Sequence, residues 1–449
     1  MKRAVPLIFL ALGACVSVPR DAGLPEVQQA VTQRGVAWNA QPGEGELTAD
    51  AAVAIAMANN PRLQATLAEL GVARADLLEA STITNPVFEF EIRFPGEPYR
   101  PYELRLAQSL IELIQLPRRR ALGRAAFDAA QMRVSSEVLR FAADVRSAYY
   151  DLLAANQHLL LTRTSFDAAQ AAAEVAIRQH AVENITDLDL ENEQALYEQA
   201  KLDLARAERE VVLARETLIR AMGVREANWK LPESFPPLPE AELEQQQLEQ
   251  LASQQRLDLA IARRELDIAR QTIPIARLSM LEEMVADVHY EREPDGEHTI
   301  GPGLEFAIPI FNTGRAARTR AEAQFLRARH AVSALEAESA SQLRAARAVL
   351  AEARARVEYY RDVVVPRRAR IVQLTKLEHN AMLVGVFQLL QARQNEMQAR
   401  RDFIDAQREY WSARTDLDRA LQGIASDTSF TPASGQGQGK NANVTRGDH

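Results

Sequence analysis

The sequence predicts a mainly α protein with a small β part, a tandem duplication of one unit: helix, β-hairpin, long helix, shorter helix. Three observations predict it. After Gly314 the chain runs for about fifty residues without Pro or Gly and is rich in Ala, Arg, Glu and Leu, the composition of a long helix. Just before it, Leu304, Phe306 and Ile308 alternate with Glu305 and Ala307, which reads as a strand with one apolar face. The same succession occurs twice, about two hundred residues apart, with Gly223 and Gly423 closing the two units.

The totals fit this class. Of 449 residues, 47% are hydrophobic and 25% charged, so the chain can bury a core, while aromatics at 6% favour helices in close contact over a thick aromatic core. The net charge of −8 argues against nucleic acid as a partner. No apolar run reaches 18 residues, so no spanning helix is expected.

The first element is a targeting segment. Met1-Lys2-Arg3 is a basic start and residues 5–12 are an apolar core, the pattern of a secretory signal over residues 1–14. Leu12-Gly13-Ala14-Cys15 resembles a bacterial lipobox, which implies that Cys15 carries a covalent lipid; the alternative is an ordinary signal peptide with a chance cysteine. It is the only Cys, so no disulfide competes for it. Val16, rather than Asp, fits outer-membrane sorting. Residues 15–46, with Pro19, Pro25, Gly35, Pro42, Gly43 and Gly45, read as an extended tether.

Repeat 1 spans residues 47–223. Thr48 or Asp50 can cap a helix running to about Ser81, with Ala54, Met57, Leu63, Leu67, Leu70, Ala73 and Leu77 at three- and four-residue steps, stopped before Asn85-Pro86. Residues 87–94 alternate strictly: Phe88, Phe90, Ile92 and Phe94 face one way, Glu89, Glu91 and Arg93 the other. Residues 95–98 make a turn, and Tyr102, Leu104 and Leu106 against Glu103 and Arg105 make a return strand over 102–110. Pro117 suits the start of a helix of roughly 60 residues, about 90 Å long, with a seam at Val138, Ala142, Val145, Tyr149, Leu152, Asn156, Leu159 and Leu160. It breaks at 181–186, and a return helix runs from about Asp187 to Gly223. Residues 224–242 are a proline-rich connector.

Repeat 2 spans residues 243–423. Its strands fall at 284–292, where Asp287, His289 and Glu291 oppose Ala286, Val288 and Tyr290, and at 300–309. The long helix follows, kinked at Pro366, then a break at 379–385 and a return helix. The tail from 424 to 449 is Ser-, Gly-, Gln- and Asn-rich and expected to be disordered.

Four strands of about eight residues have the length of tilted membrane strands, yet a four-stranded sheet has two unpaired edges and cannot stand in lipid alone. It must close with copies of itself. Two copies give eight strands and a filled interior; three give twelve and leave a passage. The polar helices must then hang below as a tube.

The duplication, the lipobox, Asn85-Pro86, the run 308–315 (Ile-Pro-Ile-Phe-Asn-Thr-Gly-Arg) and the run 388–394 (Gln-Leu-Leu-Gln-Ala-Arg-Gln) resemble the TolC family of outer membrane factors over nearly all of residues 47–423. The resemblance implies a homotrimer with a twelve-stranded barrel in outer-membrane lipid and an α-helical periplasmic tunnel. It implies an exit duct that docks a periplasmic adaptor and an inner-membrane pump for tripartite efflux, or alternatively for type I protein secretion, with no enzymatic activity and no cofactor beyond the lipid on Cys15.

Site expectations follow. No catalytic constellation, metal-spaced His cluster or phosphate loop is visible. If the apolar faces meet lipid through Phe88, Phe90, Ile92, Phe94, Leu104, Leu304, Phe306 and Ile308, the lumen receives Glu89, Glu91, Arg93, Glu103, Arg105, Asp287, His289, Glu291 and Glu305. That is six carboxylates against two arginines, a net of −4 per chain, and predicts a mild cation preference; the alternative is a merely solvated face. The helix breaks are the expected periplasmic tips. The resemblance matches Asp187 to an acidic gate position, the alternative being a helix N-cap. In repeat 2 the family's aspartates fall on Gln388 and Gln391 and its arginine on Val384, so an entrance of amides and apolar groups is expected, with Gly385 as the tip turn. His180 and His379 stand 199 residues apart at equivalent sites, where a response to pH or metal competes with an ordinary helix-end role. Two rivals of another class are a periplasmic adaptor, which has one hairpin between β-rich domains, and a coiled-coil rod, in which apolar strand faces have no use.

Overall fold

The computed structural model describes residues 21–38, 46–94, 101–225, 229–281, 284–293, 295–308, 310–311 and 313–424. Cys15, the turn at 95–98, Pro309 and the tail from 425 lie outside the described residues. The elements are α1 (Leu24–Thr32), α2 (Ala49–Asn59), α3 (Pro61–Ser81), β1 (Val87–Ile92), β2 (Tyr102–Ser109), α4 (Leu110–His180) and α5 (Asp187–Met222), then α6 (Gln245–Gln255), α7 (Leu257–Arg277), β3 (Val285–Arg292), β4 (His298–Glu305), α8 (Arg315–Tyr359), α9 (Val365–Asn380) and α10 (Val386–Gln422). The mainly α class with a small β part is what the sequence predicts.

Several expectations are corrected. Residues 21–38 are not an extended tether: Leu24–Thr32 is a helix, because Val27 and Val31 fall one turn apart and both bury completely against α4. The helix expected over 48–81 is two helices. Asn60 lies in extended backbone, where Pro61 holds it, and its Oδ1 accepts from the Arg62 amide at 2.8 Å to start α3. The end at Ser81 comes before Asn85-Pro86. The long helix begins at Leu110, not Pro117, so β2 feeds it directly; Pro117 sits inside it, and Ile111 and Leu116 are buried in the turns that precede it. At 71 residues α4 is about 105 Å long.

Ahead of Pro366 the long helix changes its winding. Residues Tyr360–Val364 form one π-helical turn between α8 and α9, with the Val365 amide bonded to the Tyr360 carbonyl. The wider turn accommodates a ring that would otherwise press on the carbonyl four residues back.

The four strands form one antiparallel sheet in the order β1-β2-β3-β4. The β2–β3 ladder, Tyr102 opposite Arg292 through Ser109 opposite Val285, joins the two repeats. The helices follow the same order: α3 lies on α4, α4 on α7 and α7 on α8. Both β1 and β4 are edges. The main core lies far from the sheet, at the middle of α4. Val138, Ala142, Val145, Tyr149 and Leu152 of the expected seam are buried there with Met57, Leu218 and Met222, whereas Leu160 is exposed. Tyr149 donates to the Leu47 carbonyl at 2.9 Å, and Tyr150 stacks on Trp411 with ring centroids 5.1 Å apart, tying α4 to α10.

Candidate functional site

The sheet has two faces of opposite character, and the register determines them. Directly opposed residues share a face. Glu89, Arg105, His289 and Gly301 form one row; Glu91, Glu103, Glu291 and Thr299 the next; Ala107, Asp287 and Gly303 another; Glu305 lies opposite Val285. All the charged residues expected to share a face therefore do so, apart from Arg93, which lies one residue beyond β1 and reaches back onto it.

Two arginines organise this face. Arg105 lies 2.7 Å from Glu305, 3.4 Å from Asp287 and 3.6 Å from Glu89. Arg93 lies 2.9 Å from Glu91, 3.1 Å from Glu103 and 3.7 Å from Glu291. Each cation thus faces three carboxylates, and the surplus negative charge remains. Asp287 is buried because β4 has no side chain beside it: a Cβ on Gly303 would stand 2.6 Å from its Oδ1, and one on Gly301 would stand 3.1 Å from the His289 ring. The pattern Gly301-Pro302-Gly303 is the signal for this packing, and it hides any alternation.

The other face carries Phe88, Leu106 and Val288 in one row, Phe90, Leu104, Tyr290 and Ile300 in the next, and Leu304 opposite Ala286. Phe88 is 64% exposed and Ile300 73%, so this surface is uncovered in the single chain. Ile300 belongs to it although its glycine-rich surroundings conceal the period. Phe94, Phe306 and Ile308 fall inside the predicted strands but lie beyond the ladder, which ends at Ile92 and Glu305, and they are exposed as well.

The helix tips are built alike at an offset of 199 residues. The Glu183 and Met382 amides bond the carbonyls of His180 and His379, the Asn184 and Leu383 amides those of Gln179 and Glu378, and Glu183 and Met382 both take positive φ. Gly385 is therefore not the tip turn: with φ −78° it is the extended cap of α10, and Met382 makes the turn. The side chains differ. In the first tip Thr186 caps α5 in a reciprocal box with Asp189, leaving Asp187 as the first helical residue, not the cap; its carboxylate is 2.7 Å from His180 Nε2. In the second, His379 Nδ1 lies 3.1 Å from the Val384 carbonyl, Met382 and Leu383 are exposed, Gln388 is exposed beside Gly385, and Gln391 donates to Asn395 at 3.3 Å. His180 and His379 thus occupy matching places with different partners.

Among the described residues no group of three or more His, Cys, Asp or Glu is placed to hold a metal ion. No helix among them is long and apolar enough to cross a membrane, which says nothing of strands.

Comparison with known proteins agrees with this architecture. Residues 52–224 match the family of outer membrane efflux proteins. The cobalt-zinc-cadmium resistance protein CzcC of Cupriavidus metallidurans is 24% identical over 278 residues, which are 60% of this chain and 64% of that protein. A membrane protein from Pseudomonas aeruginosa superposes with a TM-score of 0.69 at 20% identity, covering 86% of this chain and 96% of its own. The Campylobacter jejuni CmeC outer membrane channel does so at 0.69 and 17%, covering 88% and 92%. At these identities the structural likeness carries the fold.

Proposed function

We propose that this chain, whose residues 52–224 match the outer membrane efflux protein family, is the outer-membrane exit duct of a tripartite efflux system. The observation that carries the reading is the sheet. It is open at both edges, charged on one face, bare and apolar on the other, and mounted on helices unfit for lipid. Three copies joined edge to edge give twelve strands, with the apolar face outward and the charged face around a pore. A periplasmic adaptor with a single hairpin does not account for a sheet contributed equally by two repeats.

The finer assignments belong to the same proposal. The lumen takes Glu89, Glu91, Arg93, Glu103, Arg105, Asp287, His289, Glu291 and Glu305. The periplasmic entrance takes Asp187, Val384, Gln388 and Gln391, with the exposed Met382 and Leu383 beside them. Cys15 carries the lipid, and an adaptor and an inner-membrane pump complete the assembly. The net −4 of the lumen face and the name of the curated relative support cationic cargo, divalent metal ions included.

The test is a planar bilayer with the purified full-length protein. Stable single-channel conductance with cation preference is expected, and a deletion strain should become more sensitive to cobalt, zinc or cationic dyes. Absence of conductance from a correctly folded, membrane-extracted oligomer overturns the duct; sensitivity confined to neutral or anionic compounds overturns the cargo.

A further inference from the structure

On β4 the apolar face does not stop with the ladder. Leu304, Phe306, Ile308 and Ile310 succeed one another at every second position, each more than half exposed, and Phe311 is 98% exposed. Within four residues the chain becomes cationic: α8 opens with Arg315, Arg318 and Arg320. Arg318 is occupied by Glu322 at 2.8 Å, whereas Arg315 and Arg320 are exposed and make no ion pair or hydrogen bond with a described residue. They line one open cleft of about 790 Å³ with Phe311, Thr313, Ala316 and Thr319. Arg315 and Arg320 stand about 7 Å apart along the helix. The headgroup layer on each side of a bilayer is also about 5–7 Å deep. The first repeat carries the same succession, with Ile114 exposed and, one turn on, the exposed Arg118.

We infer that this cleft binds the headgroup of an anionic phospholipid in the periplasmic leaflet. The phosphate lies between the guanidinium groups of Arg315 and Arg320 and the acyl chains run along Phe311 and Ile310. The chemistry matches on both sides: guanidinium forks pair with phosphate oxygens, and the aromatic ring sits at the boundary of hydrocarbon and headgroup. Only an amphipathic anion satisfies both halves of the cleft at once. A soluble acidic peptide leaves Phe311 and Ile310 in water, and a zwitterionic phospholipid brings its own ammonium with its phosphate, so it adds no net negative charge for the two cations. The inference rests on the membrane reading of the sheet and adds a specific lipid contact to it.

The test uses full-length protein in bilayers of phosphatidylethanolamine carrying brominated phosphatidylglycerol or brominated phosphatidylcholine. Phe311→Trp places a reporter at the cleft. The native Trp38, Trp229 and Trp411 pack at the mid-α4 core, where Trp411 stacks on Tyr150, about 60 Å along α4 from the sheet, and stay unquenched. Quenching should favour the anionic lipid by roughly thirtyfold in apparent affinity, two basic groups acting near an anionic surface. Adding Arg315→Gln and Arg320→Gln should reduce that preference to about one, and Arg315→Lys with Arg320→Lys should keep most of it. Phe90→Trp is the control for the membrane reading, quenched equally by both lipids. If Phe90→Trp is quenched and Phe311→Trp shows no preference, the headgroup site is wrong although the barrel stands. If Phe311→Trp is quenched by neither lipid, another protein surface covers the cleft and the inference fails. If Phe90→Trp is not quenched, the membrane reading itself fails.

Discussion

Asn60 and Arg256 occupy the same point in the two repeats and close the same gap with different chemistry. Asn60 Nδ2 donates to the Ala221 carbonyl at 2.7 Å, and Arg256 Nη1 donates to the Ala420 carbonyl at 3.1 Å. Each side chain satisfies the end of the return helix of its own repeat while breaking the short helices before it. Asn60 is 3% exposed and also caps α3, so Asn60→Ala removes a cap and takes away the side-chain donor of the half-buried Ala221 carbonyl. The expected cost is about 2–3 kcal/mol. Arg256→Ala should cost more, about 3–5 kcal/mol, because it also strips Asp258 of its buried partner. Thermal unfolding gives the order; hydrogen exchange should loosen the last turn of α5 in the first variant and of α10 in the second.

The glycines beside these residues should not tolerate a side chain, and they should differ. Gly223 and Gly423 have φ +69° and +71°. A Cβ at Gly223 would stand 2.6 Å from the Asn60 Cα, which is backbone; at Gly423 it would meet the Asp258 carboxylate, a side chain that can turn aside at the expense of its bonds to Arg256. Both alanine variants lose about 1–2 kcal/mol to the left-handed backbone. Gly223→Ala should lose further from the clash, so its melting temperature should fall below that of Gly423→Ala. Equal shifts contradict the close approach.

These two pairs show what was legible in the sequence and what was not. Gly223 and Gly423 are readable as helix ends because left-handed backbone selects glycine whatever surrounds it. The strand faces are readable at residues 87–94 because alternation there is complete. Asn60 and Arg256 share no residue type, so their equivalence emerges only when each is seen bonding the same end of a folded unit. Likewise Met382 makes the second tip turn although Gly385 stands nearby: the hydrogen bonds back to Glu378 and His379 set the turn, and the larger residue bears the strain. The start of α4 escaped because Pro117 signals a first helical turn only when nothing buried holds the helix through it, and Ile111 and Leu116 do.

The charge balance of the polar face should be adjustable at Arg105. Arg105→Gln takes the face from −4 to −5 per chain and frees Glu89, Asp287 and Glu305 from their shared cation. The zero-current potential across a KCl gradient should move further toward cation selectivity. The shift should grow as salt is diluted, because the screening length of about 8 Å at physiological ionic strength lengthens. A shift toward anions, or none at low salt, contradicts a luminal position for this residue.

Asp418 on α10 should give a pH-dependent stability change. Burial pushes its carboxyl above the ordinary aspartate value, although Arg414 and Arg146 pull the other way. A carboxyl with a raised folded pKa contributes stability below its unfolded pKa, near 3.9, and that contribution is lost as pH rises through the folded value. At neutral pH the carboxyl is therefore a liability, because the unfolded chain ionises it more readily than the folded one. Asp418→Asn should raise the melting temperature at pH 7.5, and the gain should shrink as the pH approaches about 4. A lower melting temperature at pH 7.5 would mean that the arginines outweigh burial.

The first tip allows helix capping to be tested separately from the proposed control of the entrance, because Thr186 makes the cap and the proposed entrance residue, Asp187, stands next to it. Thr186 receives the Asp189 amide at 3.2 Å and is bonded in return, so Thr186→Ala should cost about 1 kcal/mol of stability. Asp187 makes no cap. Its carboxylate is 95% exposed and, among the described residues, pairs with His180 alone across the turn, an arrangement worth little to the fold. Asp187→Ala should therefore leave the melting temperature nearly unchanged. In a trimer the same substitution removes three negative charges from one narrow ring, where their separation is shortest and screening least complete, so it should alter the conductance of the resting channel. A capping residue moves stability and leaves conductance alone; an entrance residue does the reverse. Measuring both quantities on both variants decides which residue holds the entrance. A stability loss in Asp187→Ala with resting conductance intact assigns it to the helix and leaves the entrance to Gln388, Gln391 and the exposed Met382 and Leu383 of the second tip.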